Sequence, residues 1–277
     1  MRDCGRSISP TTAKENTEVA RSGIPLGQSG CSWPVKRMDN ASIVLMYHNI
    51  AKPLPGGGLR SLYVTPRMFA YQMWYLKTAG LRVVPLEEIA AGDDAPGRRR
   101  VALTFDDGFE DFYLNAWPVL RRYGFPSTVF LVSGNMGGVN TWDTDVGVTK
   151  KVLTWEQAAG MKGSGVSFGS HTVSHPFLSR LPEERIRTEV EASKREIEER
   201  LGVPADTFCY PFGDYDERVV RAVKAAGYRC GVTTRRGLVR SGDDPFEMRR
   251  SFIKLNTHPL LFGIKLHTRY EEGRGGR

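Results

Sequence analysis

No run of about 18 apolar residues occurs in this sequence, so no segment reads as a bilayer-spanning helix. The first 37 residues also lack the continuous apolar core of a secretory signal. Cysteine is sparse. Cys4, Cys31, Cys209 and Cys230 form no CxxC pair and no dense framework, which argues against a zinc ribbon or a disulfide scaffold and suits a reducing compartment. A clustered basic tract is missing as well. The formal net charge is +8, but 39 Lys and Arg interleave with 31 Asp and Glu, so no nucleic-acid partner is expected. The positive surplus can still concentrate anionic ligands, a membrane-bound glycolipid among them. Together these absences predict a soluble, cytoplasmic protein with, at most, peripheral membrane contact.

What is present divides unevenly along the chain. Residues 1–40 are rich in Ser, Thr, Gly and Pro without an apolar period, which predicts a disordered, flexible extension. Globular sequence begins abruptly after Met38, making Met38 a candidate translation start that the intact mass of the native protein would check. Residues 41–277 suffice for one catalytic domain.

From there β-rich runs alternate with amphipathic helical patterns: "IVLMYH" with "PRMFAYQMWYLKTAG", "RVALTF" with "EDFYLNAWPVLRRYG", and "VSFGSH" with "PEERIRTEVEASKREIEERLG". The same holds for "TFCYPFG" with "DERVVRAVKAAG" and for "MRRSFI" with "HPLLFGIKLHTRY". Repeated strand-then-helix alternation predicts an α/β fold whose largely parallel sheet is closed, or nearly closed, as a barrel. Functional groups in such folds gather at strand C-termini. His48, Asp106, Asp107, His171 and Phe212 each fall at or just past the end of a predicted strand.

The chemistry begins with "TFDDG". An Asp-Gly pair between strand and helix makes a turn, yet Glu110 and Asp111 already lie where a helix start would use them, so the turn does not explain two further aspartates. "SHTVSH" follows a β-run and brings His171 and His175 at an i, i+4 spacing that, in a helical turn, lets two imidazoles chelate one ion. An Asp with two His and an open position is a catalytic metal set. A carboxylate left outside the coordination can then take a proton from water.

"TFDDG", "HTVSH" and "YPFGDYD", in that order, resemble the first three motifs of the polysaccharide deacetylases, the NodB-homology domain of carbohydrate esterase family four. The resemblance runs from about Ile43 to Phe252. It implies a distorted (β/α) barrel and a hydrolase of linear amides, one that removes acetyl groups from N-acetylated amino sugars in a polysaccharide, oligosaccharide or lipid-linked glycan. It further implies Asp106 as catalytic base and Asp107, His171 and His175 as ligands of a divalent metal, zinc first, with cobalt, nickel or iron compatible with the same donors. The Phe212 amide would hold the oxyanion, and the Phe212 and Tyr210 side chains would line the acetyl pocket. Many members carry an Arg in the third motif where this chain has Cys209, which leaves open how Asp106 is held.

Among the remaining histidines, His48 is the candidate that a strand end places at the site. His267 reads as one face of a C-terminal helix and His258 as a helix start. Trp142 could face a sugar ring, whereas Trp155 reads as core. "APGRRR" reads as a solvated loop, and the charged run after Pro182 as a surface helix with Ile186, Val190 and Ile197 inward. Two other readings stay open on the sequence alone: a glycan-binding protein without activity, and a glycosidase that uses paired carboxylates directly.

Overall fold

A computed structural model describes residues 41–53, 59–92, 99–142 and 149–272. The expected extension over residues 1–40, with Cys4, Cys31 and Met38, lies outside the described residues. So do residues 95–98 of "APGRRR", while Arg99 and Arg100 at its end are buried.

Seven parallel strands close into a ring. They are β1 (Ile43–Tyr47), β3 (Arg100–Phe105), β4 (Ser127–Leu131), β5 (Val166–Ser170), β6 (Thr207–Cys209), β7 (Cys230–Arg236) and β8 (Met248–Phe252). β1 closes it by pairing with β3 on one side (Ile43 opposite Val101) and with β8 on the other (Leu45 opposite Ser251). A short β2 (Arg82–Val83) adds to the first two residues of β3 outside the ring. The barrel is uneven, as the resemblance implied. β5 and β6 share one paired position, Ser170 with Phe208, and the β7–β8 register shifts between Val232 and Arg236.

The period of two along each strand sorts its side chains. Ile43, Leu45 and Tyr47 of β1 and Val101, Leu103 and Phe105 of β3 pack outward with helix α1 (Pro66–Thr78) through Phe69 and Met73. Their alternates Val44 and Ala102 join Phe130, Cys209, Val232 and Met248 in a second apolar cluster within the ring. Helix α2 (Leu86–Ala90) adds Leu86 and Ile89 to that cluster from the N-terminal ends of the strands. Gly169 of β5 makes room for it, because a Cβ there would lie 2.6 Å from the Phe130 ring. The lower half of the lumen is therefore solid and apolar, and any polar chemistry is confined to its upper rim.

The remaining helices are α3 (Trp117–Tyr123), α4 (Trp155–Gly160), α5 (Glu183–Leu201), α6 (Glu217–Ala225) and α7 (Pro259–His267). The expected single helix after "FDDG" instead begins as a π-helical turn, Phe112–Ala116, before α3. Pro118 accounts for this, since it has no N–H to continue an α ladder from the preceding turn. Trp155 opens α4 behind a Thr154–Gln157 capping box and packs on the core, as expected. Among the described residues no helix is long and apolar enough to cross a membrane.

Candidate metal and catalytic site

Asp106 continues the β3 ladder by one residue, its N–H donating to the Tyr47 carbonyl at 2.9 Å. By alternation from Ala102 and Thr104 its carboxylate points into the lumen. The chain then reverses through Asp107, at φ 70°, and Gly108, at φ 63°. That turn swings the second carboxylate across the rim toward β5.

There His171 N–H donates to the Leu131 carbonyl, and His171 Nδ1 lies 2.7 Å from the Cys209 carbonyl. Donation from Nδ1 to that carbonyl leaves the Nε2 lone pair facing the rim. His175 arrives by a different route from the one its spacing suggested. Residues 171–177 contain no helix; left-handed backbone at Thr172 (φ 70°) and His175 (φ 59°) folds the loop back, and Thr172 Oγ1 accepts from the His175 N–H at 2.9 Å. Glu189 of α5 holds the loop down. Its buried carboxylate accepts from the Val173 and Ser174 N–H groups at 2.9 Å each and from Ser174 Oγ at 2.7 Å.

These devices bring three donor atoms together. His171 Nε2 and His175 Nε2 are 3.1 Å apart, and each is 3.5 Å from Asp107 Oδ1. Three ligands about 2.0–2.2 Å from a tetrahedral centre lie roughly 3.3–3.6 Å from one another. The spacing and the donor chemistry therefore fit one divalent ion. Burial disfavours every charge in the triad. It opposes a charge on Asp107, but the His171 hydrogen bond and the nearby histidines outweigh it and hold that carboxyl well below its usual range. Burial and the neighbouring His171 push His175 down to about 3. Burial opposes a charge on His171 too, yet the hydrogen bond to Asp107 and the nearby Asp106 carboxylate act to raise it above an ordinary imidazole.

A proton on His171 must therefore leave when a cation takes its place. Ion uptake is expected to release protons, and the apparent affinity to rise with pH while His171 still holds its proton. Calorimetry in buffers of different ionisation enthalpy checks this, and uptake without proton release would contradict it.

Asp106 has separate partners. Both its oxygens accept from Arg250 of β8, Nη1 to Oδ1 and Nη2 to Oδ2, at 2.7 Å each. Arg250 is fully buried and reaches across the lumen. It also donates to the Thr233 carbonyl of β7, to Thr104 Oγ1 and, at 3.3 Å, to Cys209 Sγ. The question raised by Cys209 thus has a structural answer. β8 delivers the guanidinium, and the small thiol at the third-motif position leaves it space. Burial raises Asp106, but Arg250 and then His48 outweigh it, leaving the carboxyl below its ordinary value. Asp106, His171 and Cys209 also lie close enough to share an ion. Arg250 already occupies both Asp106 oxygens, however, and burial pushes the Cys209 thiol up so that it stays protonated. Asp107, His171 and His175 are the better metal set.

His48, one residue past β1, lies with Nε2 3.7 Å from Asp106 Oδ2 and packs against Phe252. Burial lowers its pKa despite the two aspartates, so it is neutral at pH 7. Phe212, at φ 57°, presents its ring edge to His175 with centroids 4.4 Å apart, and Phe177 stacks on it at 4.0 Å. Trp142 stacks on His175 with centroids 4.9 Å apart. Tyr210 departs from its expected place in the acetyl pocket. It is 1% exposed, packs on Phe208 and Tyr215, and donates its hydroxyl to the Phe246 carbonyl, leaving no surface for a ligand. Alternation from Cys209, which faces the lumen, turns Tyr210 outward to α6.

His267 packs edge-on against Tyr75, and its neighbour Leu266 accepts from Arg99 just before β3, at the end of the barrel away from the rim. His258 caps α7, as read. Asp111, read from the sequence as serving a helix start, makes no side-chain cap bond; it accepts from the Ile50 N–H and pairs with Lys150, whose ammonium lies over the Phe109 and Tyr63 rings. It fastens the chain beyond His48 to the loop beyond Trp142.

Residues 93–231 match the polysaccharide deacetylase family model, half of the chain. A Bacillus subtilis (strain 168) protein, YxkH, named as a polysaccharide deacetylase, is 30% identical over 228 residues, covering 81% of this chain and 76% of its own. The chain belongs to the polysaccharide deacetylase family. The Streptococcus pyogenes deacetylase PplD, solved in complex with acetate, superposes with a TM-score of 0.71 at 29% identity, over 82% of this chain and 98% of that one. A poly-β-1,6-N-acetyl-D-glucosamine N-deacetylase of Staphylococcus aureus (strain MRSA252) is 23% identical, over 79% of this chain and 81% of its own. The matched family stretch contains both aspartates, both loop histidines and Cys209. It ends at residue 231, before the Arg250 that holds Asp106 in this deacetylase.

Glu189 is the other residue that motif reading passes over. A Glu189→Ala variant is expected to weaken divalent-ion affinity about 10- to 100-fold, the usual effect of losing a support for a metal ligand. Titration with a competing chromogenic chelator measures it; unchanged affinity would show that the loop holds His175 unaided.

Proposed function

We propose that this deacetylase removes acetyl groups from N-acetylated amino sugars of a glycan, with a divalent ion on Asp107, His171 and His175 and with Asp106 as general base. One observation carries the reading. Of two adjacent buried carboxylates, one joins a histidine cluster of metal-binding dimensions, while the other is held apart by a bidentate arginine. A non-catalytic binder has no use for that second group.

When bound, a divalent ion supplies Lewis-acid polarisation of the acetyl carbonyl and acidifies a water at the same centre. Asp106, ionised and fixed by Arg250, accepts the proton that water loses as its oxygen adds to the carbonyl carbon. The Phe212 N–H donates to the carbonyl oxygen as charge grows there; the next two amides are engaged in the turn, Gly213 to Tyr210 and Asp214 to Pro211. The C–N bond then breaks, and the proton held by Asp106 is returned to the amine nitrogen. His48, with Nε2 3.7 Å from Asp106 Oδ2, carries it. Neutral at rest, it becomes a strong donor once protonated because its pKa is lowered. Phe212 and Phe177, 42% and 37% exposed, offer a flat apolar surface beside the triad on which a sugar ring can lie.

Acetate release from an N-acetylglucosamine oligomer by metal-loaded protein tests the reading. Chelation should abolish release, and zinc, cobalt, nickel or iron should restore it to different degrees. Release that survives chelation would overturn the metal role, and release from O-acetylated but not N-acetylated glycans would overturn the substrate class.

A further inference from the structure

A second cavity opens beside this site. It has a volume of about 370 Å³ and lies at the C-terminal ends of β7 and β8, against the start of α7. Three residues of its wall are also in contact with the catalytic groups. Arg250 holds Asp106. Phe252 packs against His48 with ring centroids 5.3 Å apart. Thr234 presses on the turn after Phe212 so closely that a Cβ on Gly213 would lie 1.9 Å from its Oγ1. A glycan with its acetyl group at the triad therefore has a neighbouring substituent or sugar within reach of this cavity.

Its charge is unbalanced. Four cationic side chains line it, Arg236, Arg250, Lys254 and Lys265, and Glu271 is its one carboxylate. Asp106 neutralises Arg250 from the other side. Arg236 and Lys265 both bond the single buried Glu271, and Arg236 also donates to the Tyr270 carbonyl. Lys254 is exposed; its ammonium lies 4.7 Å from the centre of the Phe252 ring and pairs with no carboxylate among the described residues. Two positive charges thus remain uncompensated in a concave site, where low-dielectric walls strengthen their field. A neutral sugar hydroxyl does not need them. An oxyanion satisfies them through charge-assisted hydrogen bonds.

We propose that this cavity binds a phosphate or carboxylate carried by the glycan, so that the enzyme's preferred substrate is an anionic glycan. The proposal rests on the deacetylase reading above for its geometry, and binding can be measured without turnover. Cellotriose, 6-phosphorylated cellotriose and 6-carboxylated cellotriose have no acetyl group to lose. The two anionic forms are expected to bind the full-length metal-loaded protein about tenfold more tightly than the neutral one by calorimetry, the gain of a single charge-assisted contact. In Lys254→Glu that advantage should fall to within twofold. A preference for one anion over the other supports the cavity and identifies its ligand. Equal affinities in the wild type, or an advantage unchanged in Lys254→Glu, overturns the proposal. If the advantage holds and no N-acetylated oligomer releases acetate, the anion site stands and the deacetylation reading falls.

Discussion

Asp106→Asn is expected to lower acetate release by roughly 10²–10⁴-fold, the usual contribution of general-base catalysis, since among the described residues at the site no other carboxylate is free to replace it. Asp107 belongs to the ion cluster, and Glu189 is occupied by the loop it anchors. Divalent-ion affinity should change little, because the three donor atoms on Asp107, His171 and His175 are untouched. The substitution also removes a negative charge from beside the fully buried Arg250. Breaking a buried ion pair costs about 3–5 kcal/mol, so a lower unfolding temperature is expected, and the comparison must be made on protein shown to be folded. Retained turnover with retained ion would remove Asp106 from the mechanism. Lost turnover together with lost ion would assign it to the metal set instead.

Removing Arg250 should act on the same carboxylate from the other side. Arg250 is the strongest of the influences that hold Asp106 below its ordinary pKa, and burial alone would raise it. In Arg250→Met the Asp106 pKa therefore rises. Because the base must be deprotonated to work, the acid limb of the kcat/KM profile moves to higher pH, and activity at neutral pH falls by about 100-fold or more. Arg250→Lys restores the charge but cannot form two parallel bonds to one carboxylate, so the limb should return most of the way while the rate does not. A pH–rate profile of the three proteins separates tuning from positioning. An acid limb that stays in place in Arg250→Met would mean that some other group sets the ionisation of the base.

How much of this was legible follows from the kind of signal each residue leaves. Strand ends are marked by the change from period two to polar turn sequence, so the sequence alone puts His48, Asp106, Asp107 and His171 at the strand ends where the barrel has them. Arg250 left a weaker mark. In "MRRSFI" two arginines adjoin, and only the alternation with Met248 and Phe252 tells which one points inward. Glu189 is similar, lying in the stripe of α5 that also holds Ile186, Val190 and Ile197, a buried carboxylate among apolar neighbours. In both cases a charge sits on an apolar face, which is costly unless a partner waits there, and that partner is distant in sequence. Tyr210 fails in the opposite sense. It adjoins Cys209 and Phe212 in the motif, but its strand turns it outward, so proximity in sequence misled where parity would not have. The i, i+4 histidines show that a spacing can be met without the helix that usually explains it.

The left-handed residues of the rim have a further consequence, for how this protein can evolve. Among the described residues, four other than glycine have positive φ, namely Asp107, Thr172, His175 and Phe212, and all four are in the site. An L-residue in that region costs about 1–2 kcal/mol, which glycine would relieve. Three of these positions carry a side chain that the proposed chemistry uses, and the fourth, Thr172, binds the His175 amide. Selection for heat resistance alone therefore has a short route open to it, glycine at these positions, and each step along that route removes a part of the site. A lineage freed from the need to deacetylate would drift down this path first, and the loss would be visible as glycines at the rim of an otherwise intact barrel.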